Sequence, residues 1–345
     1  MSRFSGGSEW SPGLSAALDW APSASRDAIR LRAWLNRLVR EFFHARGVLE
    51  VETPVLSLAA VSDPHIAPFS LEFSGRTDGA PRTRWLRTSP EYAMKRLLAA
   101  GIGDCYELGR VFRDGEAGGR HNPEFTLLEW YRLGWDHLRL IDEAVELVQA
   151  AMSMVGQEAT RVDVITYRQL FRQALDIDPF GAGASELQNA LGNVQIDPDG
   201  LTRDDWLDLV MTHRIQPGFA PGAITVLIDY PASQAALARL RDDGGGDGGP
   251  VAERFELYLG PLELANGYHE LTDASEQAER FARDAAFRQA HGDAPRPRDQ
   301  HLLDALVHPA KAATSSRLIA AAITFFMFFP PYVPLSSLRS SLALK

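Results

Sequence analysis

The sequence predicts one mixed helix-and-sheet domain, α/β or α+β, on three observations. Its 345 residues are 45% hydrophobic, enough apolar material for one large core. Tyr106 to Tyr131, YELGRVFRDGEAGGRHNPEFTLLEWY, reads as strand, loop, strand, with an Asn-Pro closing the loop. Val251 to Thr272, VAERFELYLGPLELANGYHELT, reads as two more strands around a Gly260-Pro261 turn.

The elements follow in chain order. Residues 1–24, rich in Ser, Gly and Pro, predict a mobile leader without the basic region and apolar core of a signal peptide. Ser25 is an N-cap with Asp27 in the first turn, and Leu31, Trp34, Leu35, Leu38 and Phe42 form an apolar stripe. That helix ends near Gly47, and Val48 to Glu52 follows as a strand stopped by Pro54. Ser89 and Pro90 open a second helix as N-cap and N1, running to Gly101. Strict alternation from Phe125 places Phe125, Leu127, Glu129 and Tyr131 on one strand face. An amphipathic helix spans Leu138 to Met154, and the insert from about Arg161 to Pro221 holds short helical patterns with no chemistry assigned to it. Asp242 to Pro250, DDGGGDGGP, is a flexible loop. Leu318 to Leu335 is free of charge, yet 18 residues broken by Pro330, Pro331 and Pro334 make a poor membrane span.

Charge and cysteine content narrow the function classes. A net charge of −10 argues against a broad nucleic-acid footprint, which needs a basic face. A single cysteine, Cys105, excludes an intrachain disulfide and suits a reducing cytoplasm.

Two groups of acids carry the chemistry. Glu129 on an apolar strand face is costly to bury without a cation, which a structural salt bridge or a functional ligand would supply equally well. Across a two-residue turn Tyr258 faces Glu263, with Glu256 diagonal to Glu263 on the same face. Two such carboxylates, with no basic residue between them in sequence, repel unless a cation sits between them, and magnesium takes oxygen ligands of this kind. Asn266 and Glu270 have the opposite parity to Glu263, so a bulge or close approach near Gly267 is needed to gather all three.

Four segments in order then resemble the catalytic domain of class II aminoacyl-tRNA synthetases, and within it the lysyl branch. FFHARGVLEVETPVLS (Phe42 to Ser57) resembles the first signature motif, and HNPEFTLLEWY is close to the lysyl form of the second. SPEYAMKRLL (Ser89 to Leu98) resembles the segment holding the α-amino group, and ELANGYHELTD the lysyl-type metal and substrate strand. The likeness covers about residues 25–308. It implies an α+β fold, an antiparallel sheet flanked by helices. The first-motif helix begins near Ser25, which leaves no room for an anticodon-binding OB-fold ahead of it. The chain therefore resembles the short lysyl paralogues that ligate (R)-β-lysine to elongation factor P, and DYPASQAALARL (Asp229 to Leu240) is also close to that family. Alternatives are a lysyl-tRNA synthetase-like enzyme acting on tRNA and a catalytically impaired paralogue.

The resemblance assigns roles residue by residue. Arg113 falls on the arginine that contacts the α-phosphate, Phe125 on the aromatic that stacks on adenine, and Asn122 on a nucleotide contact. Asp114 and Gly115 lie in the ATP loop. The acid of the usual arginine-x-glutamate is displaced by one position, so Glu116 takes its place. Glu256 and Glu263 match the magnesium ligands, and Leu264 lies beside the nucleotide. Ser89, Pro90 and Glu91 match the amino-group segment. Glu129, Tyr131, Asn266 and Glu270 match the pocket for a distal ammonium, a set of acids, a phenol and an amide that suits a cation. The implied cofactors are ATP and Mg2+, the acceptor elongation factor P with lysine or β-lysine as substrate, and tRNA is disfavoured. In that family the first-motif helix and strand form a dimer interface, implying a homodimer.

The chain departs from the family after RDQHLLDALVH. A glycine-rich third motif, GxALGxDR, is expected there, but the sequence reads PAKAATSSRLIAAAITFFMFFPPYVPLSSLRSSLALK over residues 309–345. Arg317 has no matching glycines and inherits no role. The switch reads as a shifted frame or a diverged end, with the loss of a core strand and an exposed sheet edge as its expected consequence.

Overall fold

The computed structural model describes residues 24–118, 121–242 and 249–307, with the backbone of 320–326. The leader up to residue 23, the centre of the Gly-rich loop and most of the tail lie outside the described residues.

In chain order the elements are α1 (Arg26–His44), β1 (Leu49–Glu50), β2 (Leu56–Ser57), β3 (Ser70–Glu72), β4 (Thr83–Leu86), α2 (Glu91–Ala99), β5 (Cys105–Phe112) and β6 (Glu124–Leu133). There follow α3 (His137–Met154), β7 (Val162–Thr166), α4 (Tyr167–Leu175), α5 (Ala184–Leu191), α6 (Arg203–Val210), β8 (Ile224–Pro231) and β9 (Leu240–Asp242). The hairpin β10 (Pro250–Leu259) and β11 (Leu262–His269), then α7 (Ala274–Ala290), α8 (Gln300–Val307) and β12 (Ala320–Phe326) complete them.

The main sheet runs β1-β5-β6-β12-β11-β10-β8-β7, with β9 on β10, and a small sheet runs β2-β4-β3. Its central ladders are antiparallel, and only β1 on β5 and β7 on β8 are parallel. The chain is thus an α+β domain with an antiparallel sheet flanked by helices.

The helix α1 starts as its sequence dictates, with the Ser25 hydroxyl accepting from the Ala28 amide at 3.1 Å. Its buried face is Leu31, Leu35, Val39 and Phe43, whereas Trp34 is 58% exposed. The predicted stripe therefore fails at Trp34, while Leu38 and Phe42 are half-buried against the core. Phe43 stacks on Tyr106 with ring centroids 4.6 Å apart, which fixes α1 on the sheet beside α3. Between them the two helices cover one face of the sheet, and Leu128, Trp130, Phe255 and Leu257 lie in that core. Phe125, Leu127 and Tyr131 belong to other clusters, as alternation along β6 requires.

The tail behaves differently from the expectation. Residues 320–326 pair antiparallel with both β6 and β11, with Thr324 opposite Glu129 on one side and Asn266 on the other. The predicted open edge is filled at this point, because an apolar β-prone run finds two strands with unpaired amides and carbonyls. Among the described residues no helix is long and apolar enough to cross a membrane.

Candidate active site

The site is built on β6, the β10–β11 hairpin, the start of α2 and the loop after β5. Helix α2 begins at Glu91, one residue later than expected, with Pro90 as its N-cap and the Ser89 hydroxyl accepting from the Glu91 amide at 3.3 Å. This opening turn puts Glu91 one helical turn before Lys95, so the two side chains meet.

Lys95 is the centre of the substrate-side cluster. Its Nζ lies 2.6 Å from Glu91 and 2.6 Å from Glu270, and all three side chains are largely buried. Burial works to lower the Lys95 pKa, but the charges of Glu270 and Glu91 outweigh it and keep the ammonium protonated. Glu129 is 1% exposed and accepts from the Tyr131 hydroxyl at 2.9 Å. Its carboxyl is held well above the ordinary range, first by burial and then by the charge of Glu91, with Lys95 pulling the other way. Glu270 is raised too, by burial against the pull of Lys95. Glu91 and Glu270 thus share the Lys95 ammonium, and Glu129 lies close enough to feel its charge. Each of the predicted pocket residues Glu91, Glu129, Tyr131 and Glu270 is present, and Lys95 was the one missed. Its signal was legible as the Glu91–Lys95 spacing on a helix.

The hairpin carries the second acid pair. The turn has two residues, with Leu259 opposite Leu262 and Tyr258 opposite Glu263, as expected. The register shifts between Leu257 and Tyr258, where Leu257 pairs Ala265 and Leu264 is the extra residue. This bulge, three residues before Gly267, brings Glu263 into phase with Asn266, so the gathering device is real but lies at Leu264. The Leu264 side chain joins the main core, so contact with a nucleotide would be through its backbone.

Glu256 and Glu263 do share a face, and the Glu263 carboxyl is pushed up to about 8, first by burial and then by the charge of Glu256. A protein cation already stands beside the pair, since Arg254 Nη2 lies 2.6 Å from Glu256 Oε1. Arg254 also donates to Asn266 Oδ1 at 3.2 Å, and Asn266 donates to the Tyr268 hydroxyl at 2.6 Å. Alternation puts Arg254 and Glu256 on one face, two residues apart, and this was the sign that sequence reading passed over. Tyr258 donates its hydroxyl to Glu256. The insert reaches toward this face, where Asp208 of α6 accepts from Gln234 at 2.8 Å and is pushed up to about 6, chiefly by burial.

The loop after β5 brings in the cation. The Arg113 guanidinium lies 5.2 Å from the Phe125 ring centroid, 3.3 Å from Glu116, and also near the Thr88 carbonyl at 3.4 Å. Its charge reaches Glu263, so loop and hairpin form one site. The displaced acid Glu116 therefore does pair Arg113. Asp114 is exposed and held by its amide to the Ala67 carbonyl at 2.7 Å. Gly115 has a φ of +80°, the left-handed conformation that favours glycine in the turn. Asn122 is half-buried after the two undescribed residues 119–120.

The residue types fit the groups that such a site would hold. Glu256 and Glu263 form a like-charged buried pair whose second proton a divalent cation would replace. Arg113 beside Phe125 offers a positive charge next to an aromatic face, suited to a nucleotide phosphate and its base.

The chain matches the family described as tRNA synthetases class II (D, K and N) over residues 15–312. It is 44% identical over 292 residues to a protein of Pseudoalteromonas translucida (strain TAC 125) named elongation factor P–(R)-β-lysine ligase, covering 84% of this chain and 87% of the relative. Proteins of the same name from Yersinia enterocolitica and Enterobacter sp. (strain 638) are 43% and 42% identical. These alignments cover 86% and 85% of this chain, and 89% and 88% of the relatives.

Proposed function

The chain belongs to the class II tRNA synthetases of the D, K and N type, and on that premise we propose that it activates (R)-β-lysine with ATP and transfers the acyl group to a lysine of elongation factor P. The observation that carries this reading is the buried set of Glu91, Glu129 and Glu270 around the single ammonium of Lys95. Three acids gather near one cation, burial raises the Glu129 and Glu270 carboxyls, and the ammonium groups of a diamino acid would displace the protons they hold. A pocket for an acidic amino acid would need the reverse balance. The names of the relatives give the acceptor.

The chemistry is a displacement at the α-phosphorus of ATP by the substrate carboxylate, with pyrophosphate leaving. Glu91 and Glu270 orient the amino groups, and Glu129, steadied by Tyr131, holds the far end of the chain. Arg113 sits where charge develops on the α-phosphate, and such preorganised donors contribute most of the rate in reactions of this type. Phe125 offers its face to the adenine. Magnesium, held by Glu256 and Glu263, would neutralise phosphate charge and favour loss of pyrophosphate. Arg254 orients Glu256 through their ion pair at 2.6 Å. The second half-reaction is attack of the acceptor amine on the activated acyl carbon, with AMP leaving. An acceptor that belongs to translation supports a cytoplasmic reaction, and exposed Ile29, Trp34 and Leu49 on α1 and β1 support a homodimer across that face.

The test is pyrophosphate exchange with (R)-β-lysine and with α-lysine, followed by intact-mass measurement of elongation factor P. The expected result is exchange dependent on the amino acid and one added lysyl-type mass on the acceptor. Charging of tRNA with no change in elongation factor P would overturn the proposal.

A further inference from the structure

His137, Glu253 and His269 meet away from the pocket described above. Each offers a ligand atom, and these atoms all lie within 4.8 Å of one another. Alternation along β11 and its continuation sends His269 to the face opposite Glu270. His137 is the first residue of α3, whose helix packs on that opposite face. Glu253 sits at the register shift of β10 against β8, between Ala252 and Phe255. There the Arg239 backbone is inserted between the strands, accepting from the Glu253 amide at 2.9 Å and donating to the His269 carbonyl at 2.8 Å.

All three side chains are more than nine-tenths buried, with His137 4%, His269 6% and Glu253 8% exposed. Neither ring nitrogen of His137 has a hydrogen-bond partner, an orphaned pair that burial makes expensive. His269 Nδ1 approaches Glu253 Oε2 at 2.6 Å, and the two imidazole rings lie 6.4 Å apart and 24° from parallel. Arg239 and Arg241 form ion pairs with Glu253 at 3.6 Å, too long for hydrogen bonds, and its buried Oε2 has no hydrogen-bond partner.

We infer that His137, Glu253 and His269 form a binding site for a zinc-type transition-metal ion, separate from the magnesium carboxylates and tying α3 to the β10–β11 hairpin. Two imidazoles and one carboxylate are a borderline-soft donor set that selects zinc over magnesium, which prefers oxygen alone. Tetrahedral bonds of roughly 2.0–2.2 Å set ligand atoms about 3.4 Å apart, so the His269–Glu253 contact would open slightly while the more distant donor atoms move inward. The close His269–Glu253 contact by itself leaves His269 Nε2 and both nitrogens of His137 without a partner. The ion engages all three residues. Its role is structural, because β11 also carries Asn266 and leads directly into Glu270.

The test uses the full chain, stripped with a chelator and titrated with zinc against a chromophoric competitor in excess magnesium, which occupies all-oxygen sites. The expected uptake is about one zinc per chain, with a rise in melting temperature on zinc addition. Cobalt in place of zinc should give visible ligand-field bands. His137→Gln and His269→Gln should each lose most of that uptake and the thermal shift. The cobalt spectrum of the unaltered chain decides the matter even if a variant misfolds. Absence of zinc uptake and of cobalt bands in the unaltered chain overturns the inference, as does full uptake by the His137→Gln, His269→Gln double variant.

Discussion

Glu270 and Glu91 each lie 2.6 Å from the Lys95 ammonium, while Glu129 is held by Tyr131 and shares their field. Replacing Glu270 by Gln removes one charge-assisted bond at a desolvated site, which costs roughly 1.5–3 kcal/mol. Lysine or β-lysine affinity is expected to fall about tenfold to a hundredfold with ATP affinity unchanged, and calorimetry with each ligand checks this. Proton linkage gives a second expectation. The Glu129 carboxyl is raised from its ordinary 4.5, chiefly by burial and then by Glu91, so the folded chain holds that proton more tightly than the unfolded one. Its contribution to stability is full below about 4.5 and is lost as pH rises through the raised value. A bound ammonium favours the ionised form, so substrate binding near neutral pH should release protons. Titration calorimetry in two buffers of different ionisation enthalpy measures the number, and Glu129→Gln should reduce it. Equal heats in both buffers would count against the acid cluster as the ammonium site.

Individual elements owe their shape to a few positions that sequence patterns show unevenly. Gly109 on β5 lies where a Cβ would collide with the Arg87 guanidinium and sit 3.0 Å from Glu107 Oε1. Arg87 cannot step aside, because it bonds Thr53 at 2.8 Å and the Arg110 carbonyl at 3.0 Å, and pairs Glu107 at 2.5 Å. Gly109→Ala should therefore destabilise the fold by about 1–3 kcal/mol, read as a lower denaturation midpoint with the secondary structure retained. Alternation along β6 was legible because Phe125, Leu127, Glu129 and Tyr131 differ so plainly from Leu128 and Trp130 in what they meet. The bulge at Leu264 was not, since an extra residue leaves the composition of ELANGY unchanged and shows only in the pairing. The α1 stripe was read correctly at Leu31 and Leu35 and wrongly at Trp34, because apolar residues border both sides of that face.

For the whole molecule there are two expectations, and the first concerns a surface that the isolated chain leaves apolar. Ile29 and Trp34 of α1 are 55% and 58% exposed, and Leu49 of β1 is 49% exposed. If these cover a partner copy, Trp34→Glu should convert a dimer to a monomer by light scattering, whereas a protein already monomeric would remove the proposal. The second expectation concerns residues 309–345. Backbone pairing lets β12 fill the sheet between β6 and β11, yet its sequence lacks the arginine of GxALGxDR. Cation–π stacking on a base is worth roughly 0.5–2 kcal/mol, so ATP binding and lysine-dependent exchange should be weak in this chain. A variant whose residues after His308 follow the GxALGxDR pattern should exchange pyrophosphate faster. Equal rates would show that β12 suffices.

By itself the sequence determined the hairpins and the N-cap at Ser25, because each depends on residue type or on spacing within one element, whereas the pocket acids and the departure after His308 were legible only through the resemblance to a family. Only the tertiary structure decided which charges meet. Lys95 between Glu91 and Glu270, Arg254 on Glu256, Asp208 arriving from the insert and His137 facing Glu253 and His269 are mostly contacts between elements far apart in the chain. The physical reason is range. Hydrophobic periodicity and capping act over a helical turn or a strand pair, whereas buried electrostatics depends on distances that folding alone sets.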